Sequence, residues 1–286
     1  MRALRNQAVE PLGQTNVDLW PERTGVKMTH IYACFKWVVD EADIRIEGTA
    51  ADFSRARWKI SDYDLNAIEA ACQTKANQAD SEVVGLTIGG ASAKASLKDA
   101  LSRGLDSVWH IHTGATGVDD HRISSKALAA LLKKLLGEHD TDALVLCAEG
   151  SQDLFGRQTA PRIAATLGWP VVTSVSEFTI HGTSLKATRK LEDCIESIRV
   201  ELPVVISVLP SINSPDYPRL KAIMAASKKP MNEIALSELG IPAPMNEIMV
   251  SDEGYVTNRK GIVFDEGTTE EKVAQLLESL KKEGVL

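Results

Sequence analysis

At 286 residues, with 44% hydrophobic and 25% charged residues, the chain has the composition of a globular protein with one large or two small domains. Its formal net charge of −7 disfavours nonspecific binding to nucleic acid or anionic membranes, and no run of about 18 apolar residues offers a membrane span. Aromatic content is only 5%, so the core must be aliphatic and alanine-rich, which suits a sheet sandwiched between helices.

Residues 1–27 are polar and aperiodic, with Pro11, Gly13, Pro21 and Gly25. They read as an extension, or translation begins at Met28; the alternative is an ordered arm packed on a partner. The first residues lack the charged-then-apolar order of a secretory signal. Cys34, Cys72, Cys147 and Cys194 are scattered with no C-x-x-C, which points to reduced thiols and a cytoplasmic protein.

Residues 28–240 read as one α/β nucleotide-binding domain. Short apolar runs at 31–35, 83–88, 107–111, 143–147, 171–175 and 203–209 are predicted strands, several too uniformly apolar to have a wet face. Between them lie predicted helices. The first spans 62–78, N-capped by Ser61 with Asp64 completing a capping box, and carries Leu65, Ile68 and Cys72 on one face. The others span 92–103 (Leu97, Leu101), 125–136 (Leu128, Leu131, Leu132, Leu135) and 160–167, with Pro161 in the first turn. Strand–helix alternation predicts a Rossmann-like parallel sheet with helices on both faces. Residues 176–201 break the rhythm as a small antiparallel excursion. Residues 241–286 are a C-terminal arm: a strand-like run at Gly261–Phe264, then a helix capped by Thr268 and Glu271. Its apolar stripe, Val273, Leu276, Leu277 and Leu280, needs a partner surface.

Candidate chemistry gathers at the carboxyl ends of strands, where open parallel sheets bind ligands. The turn Cys34-Phe35-Lys36 follows the first strand. Ser61-Asp62-Tyr63-Asp64 reads as a simple helix cap, or as a cap whose Asp64 also bonds a ribose hydroxyl or a loop amide. Ile88-Gly89-Gly90 allows close backbone approach. The loop 148–159 is polar and glycine-rich and enters a helix, an arrangement that favours phosphate; Ser151, Gln158 and Thr159 add donors and Arg157 adds charge. There is no Walker A, G-x-G-x-x-G, G-x-S-x-G or H-E-x-x-H sequence. His110 and His112 share a strand face without a third ligand and read as structural, and Asp119, Asp120 and His121 read as a solvated loop.

Residues 203–230 place a buried-type strand before a loop stiffened by Pro210, Pro215 and Pro218, then a short helix ending in Lys228, Lys229 and Pro230. This order resembles the signature of electron transfer flavoprotein beta subunits. The stretches 59–72, 100–104, 149–154 and 212–215 are similar to its FixA branch, and the resemblance spans roughly Thr29 to Gly240. It implies an adenine-nucleotide α-hydrolase-like fold and a heterodimer with an alpha subunit that holds most of an FAD. It also implies AMP or a second FAD in this subunit. By position that site takes in Cys34, Ser61, Asp62, Tyr63, Asp64, Ile88, Gly89, Ser151, Gln152, Asp153, Phe155, Gly156, Arg157, Gln158 and Thr159. Phe155 and Glu149 depart from the family loop, where an acidic and a basic residue are usual, and a glutamate beside a phosphate is unfavourable. The proline-rich loop implies a docking arm, Tyr217, Leu220, Ile223 and Met224, for acyl-CoA dehydrogenase-type and quinone oxidoreductase-type redox partners. No general acid or base is required of such a carrier. The competing readings are a nucleotide hydrolase or ligase of the same fold and an AMP-binding module without redox role.

Overall fold

Uninterrupted apolar runs lie within strands covered on both faces, which fixes the architecture. The structure is a computed structural model and describes residues 30–78, 81–114, 120–137, 142–241 and 260–286. In chain order the elements are β1 (His30–Cys34), β2 (Trp37–Val39), β3 (Arg45–Glu47), β4 (Ala50–Asp52), β5 (Trp58–Ile60), α1 (Asp62–Asn77), β6 (Glu82–Gly89), α2 (Lys94–Ser102), β7 (Ser107–His112) and α3 (His121–Leu136). They continue with β8 (Ala143–Ala148), α4 (Thr159–Leu167), β9 (Val171–His181), β10 (Ser184–Lys190), β11 (Ile195–Glu201), β12 (Val204–Val208), α5 (Leu220–Ala226), β13 (Met231–Ala235) and α6 (Thr269–Lys282). Contacts divide the chain into a larger unit, which includes Phe53 onward through β13, and a smaller one that takes Arg45–Asp52 and α6.

In the larger unit nine strands form one sheet, ordered β11-β10-β9-β12-β8-β1-β6-β7-β13. The pairs from β9 through β13 are parallel, as expected for strands joined by helices. Alternation along β1 shows why both faces fill. Ile31 and Ala33 join Ala67, Ile68 and Ala71 of α1 and Leu97 and Leu101 of α2, while Tyr32 and Cys34 join Leu128, Leu131 and Leu132 of α3 and Ile163 of α4. The predicted stripes of α1, α2 and α3 therefore face the core, with Leu65, Cys72 and Leu135 at its margin. The sheet is α/β, mostly parallel and mixed.

The structure changes some boundaries. The antiparallel excursion is not separate from the sheet: β9 passes from its parallel pairing with β12 into an antiparallel pairing with β10 through an irregularity where Ser174 has a φ of 59° and the register shifts, and β11 completes the edge. The stretch after Pro230 is a ninth strand, β13, parallel to β7. Its alternating Met-Asn-Glu-Ile-Ala is the pattern of a half-exposed edge strand and lacks the apolar run of a central one. Residues 37–60, left without elements in the sequence, hold the antiparallel pairs β2–β5 and β3–β4. His110 is buried between Glu233 Oε1 at 3.3 Å and the Gly89 carbonyl at 3.2 Å, and no group of three metal-ligating side chains occurs among the described residues.

Gly85 shows how tightly β6 is covered. A Cβ there would lie 2.6 Å from Leu105 Cδ1 and 2.9 Å from Val108 Cγ1, both fully buried. Gly85→Ala is expected to lower stability by about 1–3 kcal/mol through overpacking, read as a fall in the urea midpoint with an unchanged slope.

In the smaller unit, β3 and β4 form a hairpin and α6 is capped as its sequence predicts. Thr268 Oγ1 accepts the Glu271 N–H at 3.3 Å, and the Glu271 carboxylate accepts the Thr268 N–H at 2.8 Å. Gly261–Phe264 is irregular and not the strand expected of it; a short apolar run forms a strand only where a neighbour completes its hydrogen bonds. Val273, Leu276 and Leu277 are exposed.

Candidate functional site

From β1 the chain winds to β6 and β7 on one side, and α3 then returns it to β8 on the other side of β1. The order reverses between β1 and β8. Their connections leave in opposite directions, so a crevice opens at the carboxyl ends, beside Cys34 and Ala148. Lys36, Asp64, Ile88, His121, Ser151, Gly156, Arg157 and Thr159 contribute to its lining, and Cys34 and Cys147 lie at its floor.

The loop between β8 and α4 forms one wall. Phe155 and Arg157 adopt left-handed φ of 43° and 53°, a backbone costing about 1–3 kcal/mol per residue that surrounding contacts must maintain. Those contacts are specific. Phe155 packs against Tyr63 at 5.2 Å between ring centroids, and the Arg157 guanidinium lies 4.8 Å over the Phe155 ring. Gly150 and Gly156 admit Phe155 and His121 at distances where a Cβ would overlap the rings. Glu149 pairs with Arg157 at 2.6 Å, so the carboxylate expected to repel a phosphate is neutralised within its own loop. The loop ends at the N-terminus of α4, where Thr159 meets the crevice and the helix dipole favours an anion.

The second wall is the start of α1. Ser61 stands at the N-cap position, but its hydroxyl makes no capping bond and accepts instead from the Gln152 N–H at 3.3 Å. The expected capping box is absent for the same reason: Asp64 turns away from its own helix and accepts the Lys36 N–H at 2.8 Å. Both side chains serve long-range contacts, which a local motif cannot reveal. The Gln152 amide bridges further, accepting from the Asp62 N–H at 2.8 Å and donating to Glu41 and Asp62. Asp153 pairs with Lys36 and accepts from Ser151 Oγ.

This network sets the local charge. Burial drives the Asp64 carboxyl up to about 8, against the pull of the Lys36 N–H and ammonium, so it is neutral near pH 7. Burial works upward on Asp153, but the hydrogen bond and charge of Lys36, with the hydrogen bonds from Ser151 and the Leu154 N–H, together outweigh this and hold it below the usual carboxylate range.

Of the residues singled out in the sequence, Cys34, Asp64, Ile88, Ser151, Gly156, Arg157 and Thr159 line the crevice. Ser61, Asp62, Tyr63, Gln152, Asp153 and Phe155 brace its walls. Gly89 sits at the end of β6 against Ala93, and Gln158 accepts from Arg162 at 2.8 Å. Tyr217, Leu220, Ile223 and Met224 are on the separate loop and helix after β12, all exposed, Tyr217 at 92% and Leu220 at 73%. His121 was expected in a solvated loop but begins α3 and lines the crevice. Asp120 caps that helix, accepting the Arg122 N–H at 2.7 Å, and Asp119 lies outside the described residues. An Asp directly before the helix was the signal available in the sequence. A family model described as the electron transfer flavoprotein domain matches residues 51–239.

Proposed function

The chain belongs to the electron transfer flavoprotein family, and on that premise we propose that it is the beta-type subunit of a heterodimeric carrier. An alpha subunit would hold most of the FAD, and this chain would bind an adenine nucleotide, AMP or a second FAD, in the β1/β8 crevice. The observation carrying this reading is the crevice itself: a switch point of a parallel sheet, walled by a braced loop that ends at a helix N-terminus.

The residues fit an adenine nucleotide. Cys34, Phe35 and Ile88 at the ends of β1 and β6 would lie along a base, with the Phe35 and Lys36 N–H groups already donated to Leu86 and Asp64, and the Asp64 carboxyl can face a ribose hydroxyl. Thr159 and the first turn of α4 can receive a phosphate. With Arg157 already paired to Glu149, a monophosphate is the better match, since a pyrophosphate would bring more charge than the wall offsets. Flavin bound by the complex would supply the redox chemistry, while this chain binds, orients and excludes water.

The exposed loop and α5 would dock the redox partners, acyl-CoA dehydrogenase-type and quinone oxidoreductase-type. Leu220 stands out on a segment stiffened by three prolines, which loses little entropy on binding. Leu220→Ala in the complex is expected to slow electron transfer from an acyl-CoA dehydrogenase about tenfold, a loss of ~1.4 kcal/mol in docking, with flavin and nucleotide content unchanged. An unchanged transfer rate would remove Leu220 from the docking surface. Free cysteines and the absence, among the described residues, of a helix able to cross a membrane accord with the proposed cytoplasmic setting.

A further inference from the structure

Two cysteines meet at the floor of the crevice. Ala33 of β1 pairs with Leu146 of β8, and the same register carried one residue further sets Cys34 beside Cys147. Both side chains point to the α3/α4 face, with Tyr32 and Val145. Adjacent strands lie about 4.8 Å apart, inside the range of about 4.4–6.8 Å between Cα atoms that a disulfide spans. Both side chains line the crevice, so a small solute has a route to them.

We infer that Cys34 and Cys147 are a redox-active thiol pair, which hydrogen peroxide converts to a disulfide across the floor of the crevice. The cross-link stands on the strand register alone, whereas its coupling to ligand rests on the nucleotide reading above. Other cysteines do not share the arrangement: Cys72 is on α1 with its thiol directed to the Arg103 carbonyl, and Cys194 is in the turn between β10 and β11.

The chemistry balances with peroxide as sole oxidant. Cys34, at the last position of β1 where the crevice opens, is the sulfur that meets the peroxide. It forms an S–O bond as the O–O bond breaks, and one water leaves, giving a sulfenic acid. The Cys147 sulfur then displaces the hydroxyl from Cys34, forming the S–S bond and releasing a second water. Two thiols lose two electrons and two protons, and one peroxide becomes two waters. Side chains on neighbouring parallel strands emerge side by side and do not face each other, which favours a bridge that is readily reduced. A nucleotide over the floor would shield both sulfurs.

The test treats the complex with peroxide, quenches it, and counts thiols after denaturation with peptide mapping. The expected result is a fall from the four thiols of the reduced chain to two, a Cys34–Cys147 linked peptide short by two hydrogens, and full recovery with dithiothreitol. Cys147→Ser should halt at a Cys34 sulfenic acid that dimedone traps. AMP at ten times its Kd should slow bridging about tenfold by occupying the crevice. Four surviving thiols, separate sulfinic acids at the two positions, or bridges to Cys72 or Cys194 would overturn the inference. Bridging at an undiminished rate under AMP would uphold the thiol pair and count against nucleotide binding at this floor.

Discussion

Asp64→Asn is expected to stabilise the protein increasingly from pH 4 to pH 8, by up to about 5 kcal/mol at the upper end. In the folded chain burial raises this carboxyl from 3.8 to about 8. The folded state therefore keeps a proton that the unfolded state gives up near pH 4. The sign follows: a raised carboxyl adds stability that is fully present below the unfolded value and is lost as pH climbs to the folded value, after which no further loss occurs. Asparagine is close in shape, and its carbonyl oxygen can still accept the Lys36 N–H that Asp64 Oδ2 accepts at 2.8 Å. The variant thus removes the titration with little change in contacts. Urea unfolding of both proteins across this range should give curves that diverge with pH. Parallel curves would show that Asp64 is ionised in the folded state. Because the side chain lines the crevice, the same neutral acid would let the proposed anionic ligand stand beside a carboxyl without repulsion.

Gly156→Ala is expected to weaken AMP binding about tenfold or more, or at least ~1.4 kcal/mol. A Cβ at this position would overlap the His121 imidazole. Either the loop lifts or the imidazole swings into the crevice it lines, and both outcomes damage the site; overpacking of this kind costs about 1–3 kcal/mol. Phe155 and Arg157 on either side already hold left-handed backbone, which leaves the loop little room to adjust. Adding His121→Ala should restore most of the affinity, since it removes the overlapping atoms, and the double-mutant cycle isolates the pair. Equal AMP affinity in Gly156→Ala and the native protein, by calorimetric titration, would show that the loop does not form the nucleotide wall.

The sequence disclosed what depends on short-range pattern. The apolar runs became the central strands, and the stripes containing Ile68, Leu101 and Leu131 became the buried helix faces, because period and burial are linked directly. The capping box of α6 formed as read, since all its partners are local. The Ser61–Asp64 pair has the same spacing and failed as a cap because Lys36 and Gln152, distant in sequence, bind these side chains instead. β13 is not legible because an edge strand with one wet face lacks a long apolar run, and Gly261–Phe264 carries such a run without forming a strand. At the site, the strand-end residues and the β8–α4 loop were legible. The juxtapositions were not: Glu149 against Arg157, His121 against Gly156 and Cys34 beside Cys147 depend on topology that no local window contains.

As a nucleotide-holding subunit of a flavin carrier, this member of the electron transfer flavoprotein family should be isolated with its cofactors only beside its partner. The most direct measurement is to co-express the chain with an alpha-type subunit, purify the complex, and combine its visible spectrum with analysis of the released nucleotides. The expected product is a yellow heterodimer carrying one FAD and one AMP. Two FAD would retain the carrier and show that the crevice accepts a pyrophosphate despite the Glu149–Arg157 pair. A chain that forms no complex and releases neither flavin nor AMP would not be a carrier subunit.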